Sequence, residues 1–267
     1  MTNADLMQVS IGVASYPDLS LSELLQRSRH IGADFIELVM EGEYHRETLT
    51  NRVSKIDRLT GDDLGLVVHL PFGGVDIGSP FDHVRSGAVK ELKENIRLAG
   101  ELGAEKAVFH ADTYVHPAVW EKNTILKNLV KSVQELVSFS SEHSVELGVE
   151  NVPNPFISVT DFPELFKKSA INATLDTGHA RVNETPHTTL TELLETYGDR
   201  FTHFHLNDTR GASDDHLPVG MGTIDFVSLF RSLPEGWTGS MTVEAITTDF
   251  DYMSEGVEHL RDLLSTL

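Results

Sequence analysis

Cysteine is absent from the 267 residues. Disulfides, thiolate nucleophiles and Cys-ligated zinc or iron–sulfur centres are therefore excluded, and any metal must be held by imidazole nitrogen and carboxylate oxygen. Basic residues are scarce: 21 Lys and Arg stand against 41 Asp and Glu, a formal net charge of −20. Proteins grip nucleic acid chiefly by neutralising phosphates with Lys and Arg, so this balance argues against a nucleic-acid partner. The same acidity suits a surface adapted to a high-salt cytoplasm, where it says little about partners, and both readings stand. No run approaches the roughly 20 apolar residues of a membrane span. Met1 to Gln8 lacks the basic region and apolar stretch of a signal peptide. The expectation is a cytoplasmic protein without membrane contact. A homo-oligomer is compatible with the sequence, which carries no mark of oligomeric state.

What is present is an alternation. Short apolar, β-branched runs fall at Gln8–Val13, Asp34–Val39, Gly65–Leu70, Lys106–His110, Val145–Glu150, Ala170–Leu175, Phe201–Leu206 and Ser240–Glu244. Segments of helical period lie between and after them, at Ser22–Ile31, Glu47–Leu59, His83–Leu102, Ala118–His143, Asp161–Lys168, Thr189–Tyr197, Asp225–Leu233 and Met253–Leu264. Val130, Val133, Leu136 and Val137 recur at three- and four-residue spacing and predict one buried helix face. Ser20 and Glu23 have capping-box spacing, while Gly32, Gly103 and Gly198 sit where helices should stop. Eight strands alternating with eight helices imply parallel pairing through right-handed crossovers, which closes as a single-domain α/β (β/α)₈ TIM barrel over residues 1–267. An open doubly wound sheet would more often carry a Gly-rich phosphate loop after its first strand, and that position reads Ala14-Ser-Tyr-Pro-Asp.

The chemistry lies at the strand ends. Strands three, four and five end in His69, His110 and Glu150, the sixth runs into Asp176, the seventh carries His205 and the eighth ends in Glu244. Barrel active sites are built on that rim. One buried His or carboxylate at a strand end is usually structural, but six consecutive strands ending this way would repel one another unless cations neutralised them. Leu175-Asp-Thr-Gly-His179 adds a histidine in the loop leaving strand six. Asp214-Asp-His216 lies in the loop after strand seven, before the tight Gly220-Met-Gly222 turn. Asp215 reads as solvated. Eight of the 13 histidines lie off this constellation and read as surface or packing residues. Among them His203 shares a strand face with His205 and could support it from behind.

Together, Val68-His-Leu-Pro71, Phe109-His110, Gly148-Val-Glu-Asn151, Leu175-Asp-Thr-Gly-His179, His205-Leu-Asn-Asp208, Asp214-Asp-His216 and Val243-Glu244 resemble the xylose-isomerase-like TIM barrel superfamily. That superfamily includes sugar and sugar-phosphate isomerases and epimerases, and also endonuclease IV (AP endonuclease family 2). The resemblance implies two ligand patterns. The isomerase branch places Glu150, Asp176, His205 and Glu244 around one divalent metal. The endonuclease branch holds three zinc ions with those four plus His69, His110, His179, Asp214 and His216. All nine positions carry the expected residue type. Two segments depart from the DNA enzyme: the second loop, Glu41-Gly-Glu-Tyr-His45, is acidic, and the third, Phe72-Gly-Gly-Val75, offers no base.

Two functions follow. The first is a sugar or sugar-phosphate isomerase or epimerase using Mn²⁺ or Mg²⁺, which suit a carboxylate-rich set. Glu150 and Glu244 would move the proton through a metal-stabilised enediolate, and His179 would bond the developing oxyanion. The alternative is a zinc-dependent phosphodiesterase of the endonuclease IV type with up to three Zn²⁺, favoured by five imidazoles among nine ligands.

Overall fold

In the described strands nearly every residue is buried, on inward and outward positions alike: four of five in β1 (Ser10–Ala14), β3 (Gly65–His69), β5 (Glu146–Glu150) and β6 (Asn172–Asp176). Strands covered on both faces are what a parallel sheet flanked by helices requires. The computed structural model describes residues 9–15, 19–52, 63–154, 156–182, 186–245 and 250–267, apart from the side chains at 187 and 188. With β2 (Phe35–Val39), β4 (Lys106–His110), β7 (Phe201–Leu206) and β8 (Ser240–Val243), the strands form a closed barrel in the order β1-β2-β3-β4-β5-β6-β7-β8. This is the (β/α)₈ TIM barrel expected from the alternation. Among the described residues, no helix is long and apolar enough to cross a membrane.

The helices are α1 (Leu21–His30), α2 (Arg46–Thr50), α3 (Asp82–Glu101), α4 (Lys122–Glu142), α5 (Phe162–Lys168), α6 (Thr177–Val182), α7 (His187–Tyr197), α8 (Phe226–Arg231) and α9 (Asp251–Ser265). The segment expected as a helix over Glu47–Leu59 is helical through Thr50, and residues 53–62 lie outside the described ones. The stretch after Asp176 was expected as a loop and is the short helix α6.

The chain divides into two compact units. In the first, Met1–Glu37 with Thr174–Leu267, β1 pairs in parallel with β2 and β8, and β7 with β8. The Ser20–Glu23 capping box is formed, and Gly32 adopts φ +69° just past α1. Gly198 also ends its helix, but at φ −55° in a following 3-10 turn; a β-carbon there would run into the Pro234 ring. In the second unit, Leu38–Ala173, β3 pairs with β4 and β4 with β5. Here α4 buries Ile125, Leu129, Ser132, Val133, Leu136 and Ser140. Val130 and Val137, expected on that face, are only half-buried. The stripe is rotated because Ser132 faces inward, donating to the Ile77 carbonyl at 2.7 Å and accepting from the Arg85 guanidinium at 3.1 Å.

Candidate metal centre

Each unit carries its own set of strand-end ligand types. In the first unit β6 delivers Asp176, fully buried, at the start of α6. Asp176 Oδ1 accepts from the His179 backbone N–H at 2.6 Å, and Oδ2 accepts from the Asn207 amide at 2.8 Å. The Asp-Thr-Gly-His run is built for this. The Thr177 hydroxyl donates to the Asn207 carbonyl at 2.6 Å, and Gly178 has no β-carbon because the Asn207 side chain occupies that space. Asp176, His205 and Glu244 each offer a ligand atom, all within 4.8 Å of one another. His205 Nδ1 lies 3.2 Å from Glu244 Oε2. Glu244 sits one residue past the end of β8, where its backbone N–H reaches the Leu206 carbonyl.

A second group in the same unit comprises His179, Asp214 and His216, again within 4.8 Å. Asp214 Oδ2 receives His179 Nε2 at 3.1 Å and His216 Nε2 at 2.9 Å. Burial works against ionising both partners, yet their mutual attraction prevails. The Asp214 carboxyl lies well below the usual range, and His216 is raised from 6.5 to about 9. His216 adopts φ +44°, a left-handed conformation that costs a side chain about 1 kcal/mol or more.

The loop that presents this pair hangs on a residue the sequence reading left without a role. Asp208, fully buried, accepts backbone N–H bonds from Thr209, Gly220, Gly222, Thr223 and Ile224, at 2.8–3.2 Å. Gly222 is required there: a β-carbon would overlap the Asp208 carboxylate and the Thr209 carbonyl. Asp215, read as solvated, braces the same loop by accepting from the Thr209 and Ser213 hydroxyls and the Arg210 backbone.

Glu37, in the middle of β2, was also missed. It is 1% exposed, with Oε1 2.9 Å from His205 Nε2 and Oε2 3.1 Å from His203 Nε2. Thr242 donates to Oε2, and Ser240 Oγ lies 2.7 Å from His203 Nδ1. Burial opposes its ionisation, but the two histidines outweigh it and hold the carboxyl well below the usual range. The available signal was a lone carboxylate inside the apolar run Phe35-Ile-Glu-Leu-Val39. His203, read from the sequence as a possible support for His205, shares the Glu37 carboxylate with it.

In the second unit β3, β4 and β5 bring His69, His110 and Glu150 together. Glu150 Oε2 lies 3.0 Å from His69 Nε2 and 3.3 Å from His110 Nε2, and the two rings meet edge to face at 4.9 Å. His69 Nδ1 donates to the Leu70 carbonyl at 2.8 Å, since a carbonyl can only accept. Its Nε2 is thereby the nitrogen turned to Glu150. Phe72 stacks on His110 at 4.9 Å, and its loop is fastened by Glu41, which accepts from the Phe72 and Gly73 backbone N–H groups. The acidic loop after β2 thus serves the loop after β3.

The Asp176–His205–Glu244 and His179–Asp214–His216 groups have the donor chemistry of a divalent metal site without cysteine: carboxylate oxygens and imidazole nitrogens at spacings one cation spans. His110, expected as a candidate ligand, takes no part in the groups that could hold a metal among the described residues, and neither do His30, His45, His83, His116, His143 and His259. The side chain at position 187 lies outside the described ones.

Comparison with known proteins agrees with this architecture. Residues 25–263 match the family model of the xylose isomerase-like TIM barrel. An uncharacterized protein of Methanocaldococcus jannaschii is 28% identical over 253 residues, 90% of this chain and 84% of its own. Fructoselysine 3-epimerase of Shigella flexneri is 25% identical over 197 residues, 68% of this chain and 69% of its own. The crystal structure of a D-tagatose 3-epimerase-like protein superposes with a TM-score of 0.79 at 26% identity, covering 97% of this chain and 98% of the other.

Proposed function

The chain belongs to the xylose isomerase-like TIM barrel family, and on that premise we propose that it is a divalent-metal-dependent sugar or sugar-phosphate isomerase or epimerase. One observation carries the reading: the carboxylate and imidazole donors of Asp176, His205 and Glu244 converge within 4.8 Å of one another. With Glu150, at the end of β5, they form the proposed ligand set for Mn²⁺ or Mg²⁺. When bound, the cation supplies positive charge where the substrate's oxygens become anionic.

The chain's own groups move the proton. Epimerisation takes a proton from the carbon beside a carbonyl, leaves the electron pair as an enediolate, and returns a proton to the opposite face. Two carboxylates are needed, and Glu150 and Glu244 are assigned as the base and acid. His179 donates a hydrogen bond to the developing oxyanion. His69 and His110 contact substrate hydroxyls. The proposal treats residues 1–267 as one domain in the cytoplasm, acting on a small sugar.

A second reading rests on His179, Asp214 and His216, an imidazole-rich group that suits zinc and phosphodiester hydrolysis. The test is solvent deuterium incorporation into a panel of ketoses and their phosphates, followed by NMR with Mn²⁺, Mg²⁺ or Zn²⁺. Metal-dependent exchange at the carbon beside the carbonyl is the expected result. No exchange on any sugar, together with zinc-dependent nicking of abasic-site DNA, would overturn it in favour of the hydrolase.

A further inference from the structure

The Glu37 carboxylate lies inside the barrel strands, away from bulk water, with three polar groups converging on its two oxygens. An ionised carboxylate can only accept, so each atom that faces it must bring a hydrogen. Thr242 brings its hydroxyl at 2.5 Å, His203 brings Nε2–H at 3.1 Å, and His205 brings Nε2–H at 2.9 Å. The assignment at His203 is consistent from its other side, where the Ser240 hydroxyl can donate to Nδ1 at 2.7 Å. His203 and His205 meet the same carboxylate because they are two residues apart on β7 and share one strand face.

For His205 this leaves one nitrogen for any other task. Nδ1 points to the side where Glu244 Oε2 lies 3.2 Å away and where Asp176 completes the cluster. We propose that Glu37 is a positioning residue that keeps the proton on His205 Nε2 and so makes Nδ1 the nitrogen offered to a metal. This rests on the reading of His205 as a metal ligand. A carboxylate behind a ligating imidazole fixes ring orientation and raises basicity, and its loss typically weakens metal binding about 10- to 100-fold. The His203–Ser240 pair and Thr242 in turn hold Glu37 still, so the metal-facing ring is oriented from β2, β7 and β8 at once.

The experiment is ¹⁵N NMR of the histidine side chains in full-length protein, metal-free and loaded with Zn²⁺ as a diamagnetic probe, with calorimetry of Zn²⁺ binding to wild type and Glu37→Gln. The expected result is a retained Nε2 proton on His205 in both states, with metal-dependent shifts at Nδ1. Glu37→Gln should keep the stoichiometry while binding Zn²⁺ 10- to 100-fold more weakly. A His205 that coordinates through Nε2, or a Glu37→Gln protein that binds as tightly as wild type, would overturn the proposal. So would loss of one whole metal equivalent with the others unchanged, since Glu37, His203 and His205 would then be a metal site themselves. If wild type binds no metal at all, the ligand reading fails, and the metal-free spectrum still decides whether Glu37 holds the proton. The wild-type spectra carry the test even if the variant fails to fold.

Discussion

Glu150 is the residue on which the proposed chemistry leans hardest. It is 1% exposed and shares one oxygen between His69 and His110. Glu150→Gln keeps the shape but removes both the proton acceptor and the negative charge, so turnover should fall by about 10²-fold or more. Steady-state rates on whichever sugar shows exchange will check this, and a variant with most of its rate intact would remove Glu150 from the mechanism. His216 gives a prediction in pH. Its folded value, about 9, is above its ordinary 6.5, because attraction to Asp214 outweighs burial. In metal-free protein the stability it contributes is therefore complete below about pH 6.5 and is lost as pH rises through about 9. Asp214, shifted the opposite way, keeps its share at any pH above its ordinary 3.8. Thermal melts of chelated protein should thus fall between pH 6.5 and 9.5, and His216→Asn, which tolerates the left-handed backbone, should flatten that decline. A decline that is unchanged in the variant would place its origin elsewhere.

At the scale of elements, α6 and the segment from Asn207 to Ile224 form one device in the first unit. Asp208 gathers five backbone N–H groups of that segment, while Asn207 reaches across Gly178 to Asp176. Gly178→Ala should push Asn207 off Asp176, at a cost of about 1–3 kcal/mol in overpacking. It should also weaken Mn²⁺ binding, because Asp176 loses a bond that aims it. Denaturant midpoints and metal titration measure the two effects separately. If affinity is unchanged while stability drops, Asn207 is only packing. The same logic explains why Phe72 has a fixed backbone: Glu41 accepts from two N–H groups of its loop and Tyr114 donates to its carbonyl.

For the whole molecule, stability should come from the closed barrel and its apolar core rather than from metal. Among the described residues, core side chains such as Phe109, Phe162, Phe204, Leu24 and Ile36 are completely covered. Chelation should leave the circular dichroism spectrum nearly unchanged and a single cooperative unfolding transition, in contrast to small domains stapled by a metal. Loss of the folded signal at room temperature would show that the metal is structural, and two separated transitions would show that the two compact units unfold independently. The net charge of −20 adds a further expectation. Added salt screens like-charge repulsion, so the midpoint should rise between low and physiological ionic strength.

Local pattern alone determined the alternation of strands and helices, the closed barrel and the strand-end positions of His69, His110, Glu150, Asp176 and His205. Strand propensity, capping and side-chain period act over a few residues, and the barrel then follows from strand count. The Ser20–Glu23 cap and the turns at Gly32 and Gly103 are of the same kind. Tertiary structure decided what depends on contacts far apart in the chain. Glu37 meets His203 and His205 across 166 and 168 residues, and Asp208 meets the Gly220–Ile224 backbone across a loop. In sequence, Glu37 is one acidic residue in an apolar strand and Asp208 one more aspartate near a glycine turn. The rotated stripe on α4 shows the same limit, since an inward Ser132 is visible only once Ile77 and Arg85 are in place to bond it. A buried polar group is specified by its partners, and folding supplies those partners from distant parts of the chain.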